Sequence, residues 1–302
     1  MPRRRWLSPG HFASYLDAGG LVEVDDEMPD PYRRVVFRFV VRHAHSELMA
    51  AATDREWVAR APGLRIKMAA LARAQDELDH ARVLYGVAAD LGGARPASLV
   101  DDLLAGRGHF HQAFRRQSAD WAERVLVDHL VDGAGLVAQR SVAGRCSYGP
   151  YRRALLAIVP EEEAHVATGL SRLRRAAVGT QDQRRRLQAA LDRRWGSMLR
   201  FFGPDRDQDE DLDRWRIKAE PNAVLLQRWL EQTLPTLDEL GLVVPDPIPA
   251  DPEADAPTLV AEGSGRRQRT AWVRRAMDRQ GDQWVDGLEE RAVAAAAEGA
   301  GS

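Results

Sequence analysis

Two Glu-x-x-His elements, Glu77-x-x-His80 and Glu162-x-x-His165, each follow an acid placed 30 residues upstream, Glu47 and Asp132 respectively. This near-repeat constrains the fold more than any other feature of the chain. Residues three apart on a helix share a face, so each element points a carboxylate and an imidazole in one direction. The neighbours at helical spacing identify that direction. Around Glu77 they are Ala70, Ala74, Ala81, Leu84 and Ala88; around Glu162 they are Leu155, Ile158, Val159, Val166 and Gly169; around Glu47 they are Val40, Ala44, Ala50 and Ala51. These acids lie on stripes that pack inward, where a carboxylate without a counter-charge is strongly destabilising. Metal ions satisfy all of them at once. Four carboxylates with two imidazoles suit iron or manganese better than the thiolate-seeking metals.

One carboxylate from each of two helices, with a Glu-x-x-His from each of two others, is the ligand set of the dinuclear carboxylate centres built inside ferritin-like four-helix bundles. The rest of the chain agrees with such a fold. Apolar periodicity predicts helices over Val35–Ala52, Leu64–Leu91, Ser118–Ala143, Tyr151–Ala176, Thr180–Phe202, Asn222–Leu240 and Arg266–Ala297, with no strand-rich region. Pro62-Gly63 and Gly92-Gly93 bracket the second of these, Cys146 to Pro150 forms a turn, and Asp205–Asp213 reads as an acidic loop. The expected class is all-α, a ferritin-like four-helix bundle with extra C-terminal helices. The expected organisation is a flexible start over residues 1–30, the bundle over 31–202, a loop and added helix packing on it over 203–250, and a proline-punctuated linker with a last helix over 251–302. On the third helix two acids compete. Glu123 has the more apolar face, with Ala119, Leu126, Val127 and Leu130, whereas the matched spacing selects Asp132.

Composition narrows the function. The 43 basic side chains, all arginine except Lys67 and Lys218, are balanced by 45 acidic ones, which leaves no basic excess for a nucleic-acid partner. No apolar run reaches the roughly 18 residues of a membrane span, and no apolar segment follows Arg3 to Arg5 to make a signal peptide. A lone Cys146 excludes an internal disulfide and a cysteine zinc cage, so a cytoplasmic protein is expected. Three local patterns carry little weight. Gly133-Ala134-Gly135 lies in a helical pattern with no strand before it, the Asp205, Asp207, Asp209 run lacks the glycine and bidentate Glu of a calcium loop, and Arg266, Arg267 and Arg269 read as one charged helix face.

Several stretches are similar to the catalytic A subunits of bacterial ring-1,2-phenylacetyl-CoA epoxidases. They are HAHSE (His43 to Glu47), WVARAPGLRIK (Trp57 to Lys67), QDELDHARVLYG (Gln75 to Gly86), LVDGA (Leu130 to Ala134), RCSYGPYRRA (Arg145 to Ala154), EEEAH (Glu161 to His165), FFGPD (Phe201 to Asp205), RIK (Arg216 to Lys218) and LGLVVPDP (Leu240 to Pro247). The resemblance spans residues 30 to 250 and includes loops without a metal role. It implies a ferritin-like fold with two iron ions that activate oxygen to epoxidise the ring of an aromatic acyl-CoA thioester. By position it places the iron ligands at Glu47, Glu77, His80, Asp132, Glu162 and His165, with the four carboxylates as the catalytic groups, and so chooses Asp132 over Glu123. It places the CoA-holding groups at Arg38, Arg73, Lys218 and Asn222; on spacing alone, Arg73 reads equally as a buried ion pair.

The resemblance further implies electrons from an external NADPH-dependent reductase with flavin and iron-sulfur centres, a structural helical subunit without metal, and a small accessory subunit. Two departures bear on substrate or partner contacts: Gly106 to Phe110 lacks the family's lysine pair, and the region after Pro247 is shorter and differently composed. Competing readings are an oxygenase for another acyl thioester, a ferroxidase, and a scaffold subunit. The helices beyond the bundle and the CSYGPY turn disfavour a ferroxidase, and six competent ligands disfavour a scaffold.

Overall fold

Helical spacing of apolar residues becomes helix throughout the computed structural model, which describes residues 4–6, 8–203 and 207–245. The helices are α1 (Pro9–Asp17), α2 (Asp30–Arg60), α3 (Leu64–Gly92), α4 (Pro96–Leu104), α5 (Trp121–Arg145), α6 (Gly149–Ala177), α7 (Gln181–Leu199), α8 (Asp207–Arg214) and α9 (Asn222–Glu239), with one 3-10 turn at Gln112–Phe114. Among the described residues no strand forms, and the only extended pairing is an isolated bridge between Val22 and Tyr148. The protein is all-α, as expected. The expected proline-punctuated linker and last helix over 251–302, with the arginine cluster at 266–269, lie outside the described residues.

Differences from expectation have local causes. Residues 1–30, read as a flexible start, carry α1: Ser8 accepts a hydrogen bond from the His11 N–H as its cap, and Phe12 packs edge-on against Tyr32 at 5.0 Å. Nine residues are too few for periodicity to show a helix that tertiary contacts hold. The first long helix runs on past Ala52 to Arg60, because Asp54 and Trp57 are buried rather than turned to solvent. It stops at Ala61, whose helical conformation Pro62 disfavours. Part of the acidic stretch expected as a loop is helical, ending on Arg214, where the carbonyl end of a helix favours a cation. Gly133 and Gly135 lie within α5, without a preceding strand.

The described residues form two compact units, one comprising the chain up to residue 115 with 147–154, the other 116–146 with 155–245. In the first, α2 packs along α3. Ala44, Ala51, Ala70, Ala74, Ala81 and Ala88 are buried, and such small side chains let helix axes approach closely. In the second, α5 packs against α7 and α9, with Trp195 and Trp229 tilted at 5.6 Å and the Trp229 indole donating to the Leu130 carbonyl at 3.2 Å. No helix among the described residues is long and apolar enough to cross a membrane.

The connection after α4 sits tightly on α2. The Ser46 hydroxyl accepts the His111 N–H at 2.9 Å, and a Cβ on Gly108 would stand 2.7 Å from Leu103 Cα and 2.8 Å from the His45 ring. Gly108→Ala is expected to cost about 1–3 kcal/mol through this overlap. Urea unfolding checks it; an unchanged midpoint means that the loop yields freely.

Candidate metal centre

In the first unit, α2 and α3 each turn their alanine face inward and carry acids on it. Glu47, Glu77 and His80 are all buried, and each offers a ligand atom within 4.8 Å of the others. His80 Nδ1 lies 3.9 Å from Glu47 Oε2 and 3.8 Å from Glu77 Oε2. Both carboxylates are also held from outside this group. His43, one turn before Glu47, places Nε2 2.6 Å from Glu47 Oε1 and Nδ1 2.7 Å from the Tyr151 hydroxyl. Arg73, one turn before Glu77, reaches Glu77 Oε1 at 3.3 Å with one nitrogen and Asp54 Oδ2 at 3.1 Å with another.

The second unit carries the matching elements. On α6 the buried positions Leu155, Ile158, Glu162, His165, Gly169 and Leu173 repeat at helical spacing, and His165 Nδ1 lies 3.5 Å from Glu162 Oε2. Pro160 stands inside α6 and removes the hydrogen bond its N–H would make to the Leu156 carbonyl, just before Glu162. Asp132 is buried on α5. Gln139, two turns further along α5, donates to Glu162 Oε1 at 3.4 Å. His129, one turn before Asp132, is held below the usual histidine range by burial, with Asp132 acting in the opposite sense.

The competing acid of α5 has another occupation. Glu123, 1% exposed, accepts from Arg194 on α7 through Oε1 and from Arg193 through Oε2 at 3.0 Å, and also from the Ala119 N–H at 3.2 Å. Burial raises its pKa, but Arg194 and these donors outweigh that and hold it below the ordinary glutamate range. Its apolar helix face belongs to the packing of α5 on α7, which helical spacing cannot distinguish from a ligand stripe.

The groups matched to CoA contacts differ among themselves. Arg38 is exposed on α2, and Arg73 is engaged by Asp54 and Glu77. Lys218 and Asn222 are buried and joined, Lys218 Nζ donating to Asn222 Oδ1 at 2.5 Å. Their segment is tied to α5 by Ser141, whose hydroxyl accepts the Ala219 N–H at 3.0 Å, and by Arg145, which donates to the Ala219 carbonyl at 3.3 Å. Arg216, two residues earlier, takes the left-handed conformation with φ 57°, one that side chains rarely adopt.

Carboxylates and imidazoles buried together, with no thiolate near them in sequence, fit a hard or borderline cation such as iron. Sequence reasoning missed His43, Asp54, Gln139 and Tyr151 around them. His43 and Asp54 left a signal, standing four residues before and seven after Glu47 on the same helix. Gln139 left the same kind of signal, seven residues after Asp132 on α5, whereas Tyr151 left none, since tertiary packing brings it to His43.

Comparison with known proteins gives the same direction. Residues 13–257 match the family described as phenylacetic acid catabolic protein. The A subunit of the 1,2-phenylacetyl-CoA epoxidase of Escherichia coli (strain K12) is 38% identical over 229 residues, 75% of this chain and 74% of that protein. Both the breadth of the match and the buried acid and imidazole groups on α2, α3 and α6 place the chain as a member of the phenylacetic acid catabolic protein family.

Proposed function

We propose that this chain is the oxygen-activating subunit of a phenylacetyl-CoA epoxidase, inserting one oxygen atom from O2 into the aromatic ring of the thioester in phenylacetate catabolism. The observation that carries this reading is the buried set Glu47, Glu77 and His80 in a chain of this family. Two iron ions, held by Glu47, Glu77, His80, Asp132, Glu162 and His165, supply the oxygen activation when bound. The full engagement of Glu123 by Arg193 and Arg194 supports Asp132 as the acid of α5. Residues 31–202 form the bundle that carries these ligands, and 203–250 add the segment that holds Lys218 and Asn222.

The chain's own contribution is positional and electrostatic. His43 and Arg73 hold one oxygen of Glu47 and one of Glu77, so each carboxylate keeps a defined orientation. Buried alanine and aliphatic walls keep bulk water from the reacting groups. Arg38, Lys218 and Asn222 are polar groups suited to the CoA portion, and Arg73 adds positive charge beside the ligands. The chain shows no flavin or iron-sulfur motif, so its electrons come from elsewhere; the resemblance to the epoxidase A subunits implies an external NADPH-dependent reductase with those centres as their source. The protein works in the cytoplasm with two further subunits, one structural and helical, the other small and accessory.

The test is anaerobic reconstitution with Fe2+, followed by phenylacetyl-CoA, O2 and a reductase of the stated type. The expected result is two irons per chain and a product heavier by one oxygen atom, carrying the label when 18O2 is supplied. Two irons without that product would remove the proposed substrate and leave the metal site. No bound iron would remove the oxygenase reading.

A further inference from the structure

The turn between α5 and α6 leads into a contact that its sequence does not announce. Tyr151, in the first turn of α6 and 1% exposed, points its hydroxyl at His43 Nδ1, 2.7 Å away. The opposite nitrogen of the same ring, Nε2, lies 2.6 Å from Glu47 Oε1. A carboxylate only accepts hydrogen bonds, so Nε2 carries the hydrogen. In the neutral ring Nδ1 is then the acceptor, and the Tyr151 O–H donates to it. One tautomer satisfies both bonds, and every link lies within the first unit.

The far end of this chain of bonds is fixed. Phe39 and the His43 ring both meet the Tyr151 ring edge-on, at 6.2 and 6.0 Å. Around the tyrosine, Tyr32 and Ser147 share a hydroxyl hydrogen bond at 3.0 Å, Val22 bridges to Tyr148, and Arg153 forms a two-pronged pair with Glu23 at 2.9 and 2.7 Å. The turn is thereby stitched to the start of α2 and to the segment before it. Tyr151 therefore has little freedom to move relative to His43, and His43 in turn sits one helical turn from Glu47.

We infer that Tyr151 and His43 are positioning residues, Tyr151 selecting the tautomer and ring orientation of His43 and His43 fixing the Glu47 carboxylate for metal binding. This rests on the metal reading above and adds to it the residues that set the geometry of one ligand. Outer partners of this kind orient the groups that bind a metal and raise its affinity. The relay also explains why a turn that supplies no ligand lies so close to one: its hydroxyl acts through the imidazole rather than on the metal.

The test is a double-mutant cycle on the full-length chain, read as Fe2+ affinity under anaerobic conditions. Tyr151→Phe keeps the ring and removes the hydroxyl, and is expected to weaken binding by roughly 10-fold. His43→Leu, close in size, is expected to weaken it by roughly 10- to 100-fold. Adding Tyr151→Phe to His43→Leu should then change nothing further. A second readout needs no metal: 15N spectra of the histidines should show the hydrogen on His43 Nε2, and Tyr151→Phe should shift Nδ1. Equal losses from Tyr151→Phe in both backgrounds, or an unmoved Nδ1 resonance, would overturn the relay while leaving the metal site intact. Absence of Fe2+ binding by the wild-type chain would overturn the metal reading, and the relay with it.

Discussion

Glu77→Ala is expected to leave the helices in place and abolish the protein's chemistry. Glu77 is a buried carboxylate on α3 with one oxygen toward Arg73 and the other 3.8 Å from His80 Nδ1. Alanine removes a proposed metal ligand and a negative charge together, and leaves Arg73 with Asp54 as its remaining partner in this pair of contacts. Bound iron should fall from two per chain to one or none. Oxygen-dependent turnover should fall by about 10^3-fold, the scale of several kcal/mol of lost transition-state stabilisation. Thermal unfolding supplies an independent reading. A metal that binds only the folded chain at 100 times its Kd adds about 2.7 kcal/mol to stability, so Fe2+ should raise the wild-type Tm and leave that of Glu77→Ala nearly unmoved. Full activity of the assembled complex with this variant would assign the chain to a scaffold role.

The acids of α2, α3 and α6 were legible because they interrupt apolar stripes. A charged residue at a buried helical position needs a partner, so spacing alone marked Glu47, Glu77 and Glu162, and their burial agrees. The third helix was less legible, since Glu123 and Asp132 both sit among buried neighbours, and only the structure shows Arg194 of α7 occupying Glu123. Arginine partners are distant in sequence, 71 residues in this case, and periodicity carries no such information. Element existence followed the same rule. Long helices with repeated apolar faces were visible, whereas α1 and α4, nine residues each, depend on the surfaces they cover. Tyr151 is the clearest limit: nothing in CSYGPY identifies which imidazole its hydroxyl will meet.

The pair Asp132→Ala and Glu123→Ala should separate metal binding from stability. Asp132→Ala is expected to lose iron with little loss of metal-free stability. Glu123→Ala is expected to retain iron and lose about 3–5 kcal/mol, because it leaves Arg194 buried without its carboxylate. Replacing both Glu123 and Arg194 by leucine should recover much of that loss, since neither charge of this buried pair is then left without the other. The pH dependence has a definite sign. Glu123 is held below its ordinary value of 4.5 in the folded chain, so its stabilisation is present in full at neutral pH. It is lost as pH falls below 4.5 and through the depressed folded value. Unfolding free energy should therefore drop more steeply on acidification for wild type than for Glu123→Gln. Iron retained by Asp132→Ala and lost by Glu123→Ala would reverse the assignment, and would mean that Arg193 and Arg194 release the carboxylate to the metal when it binds.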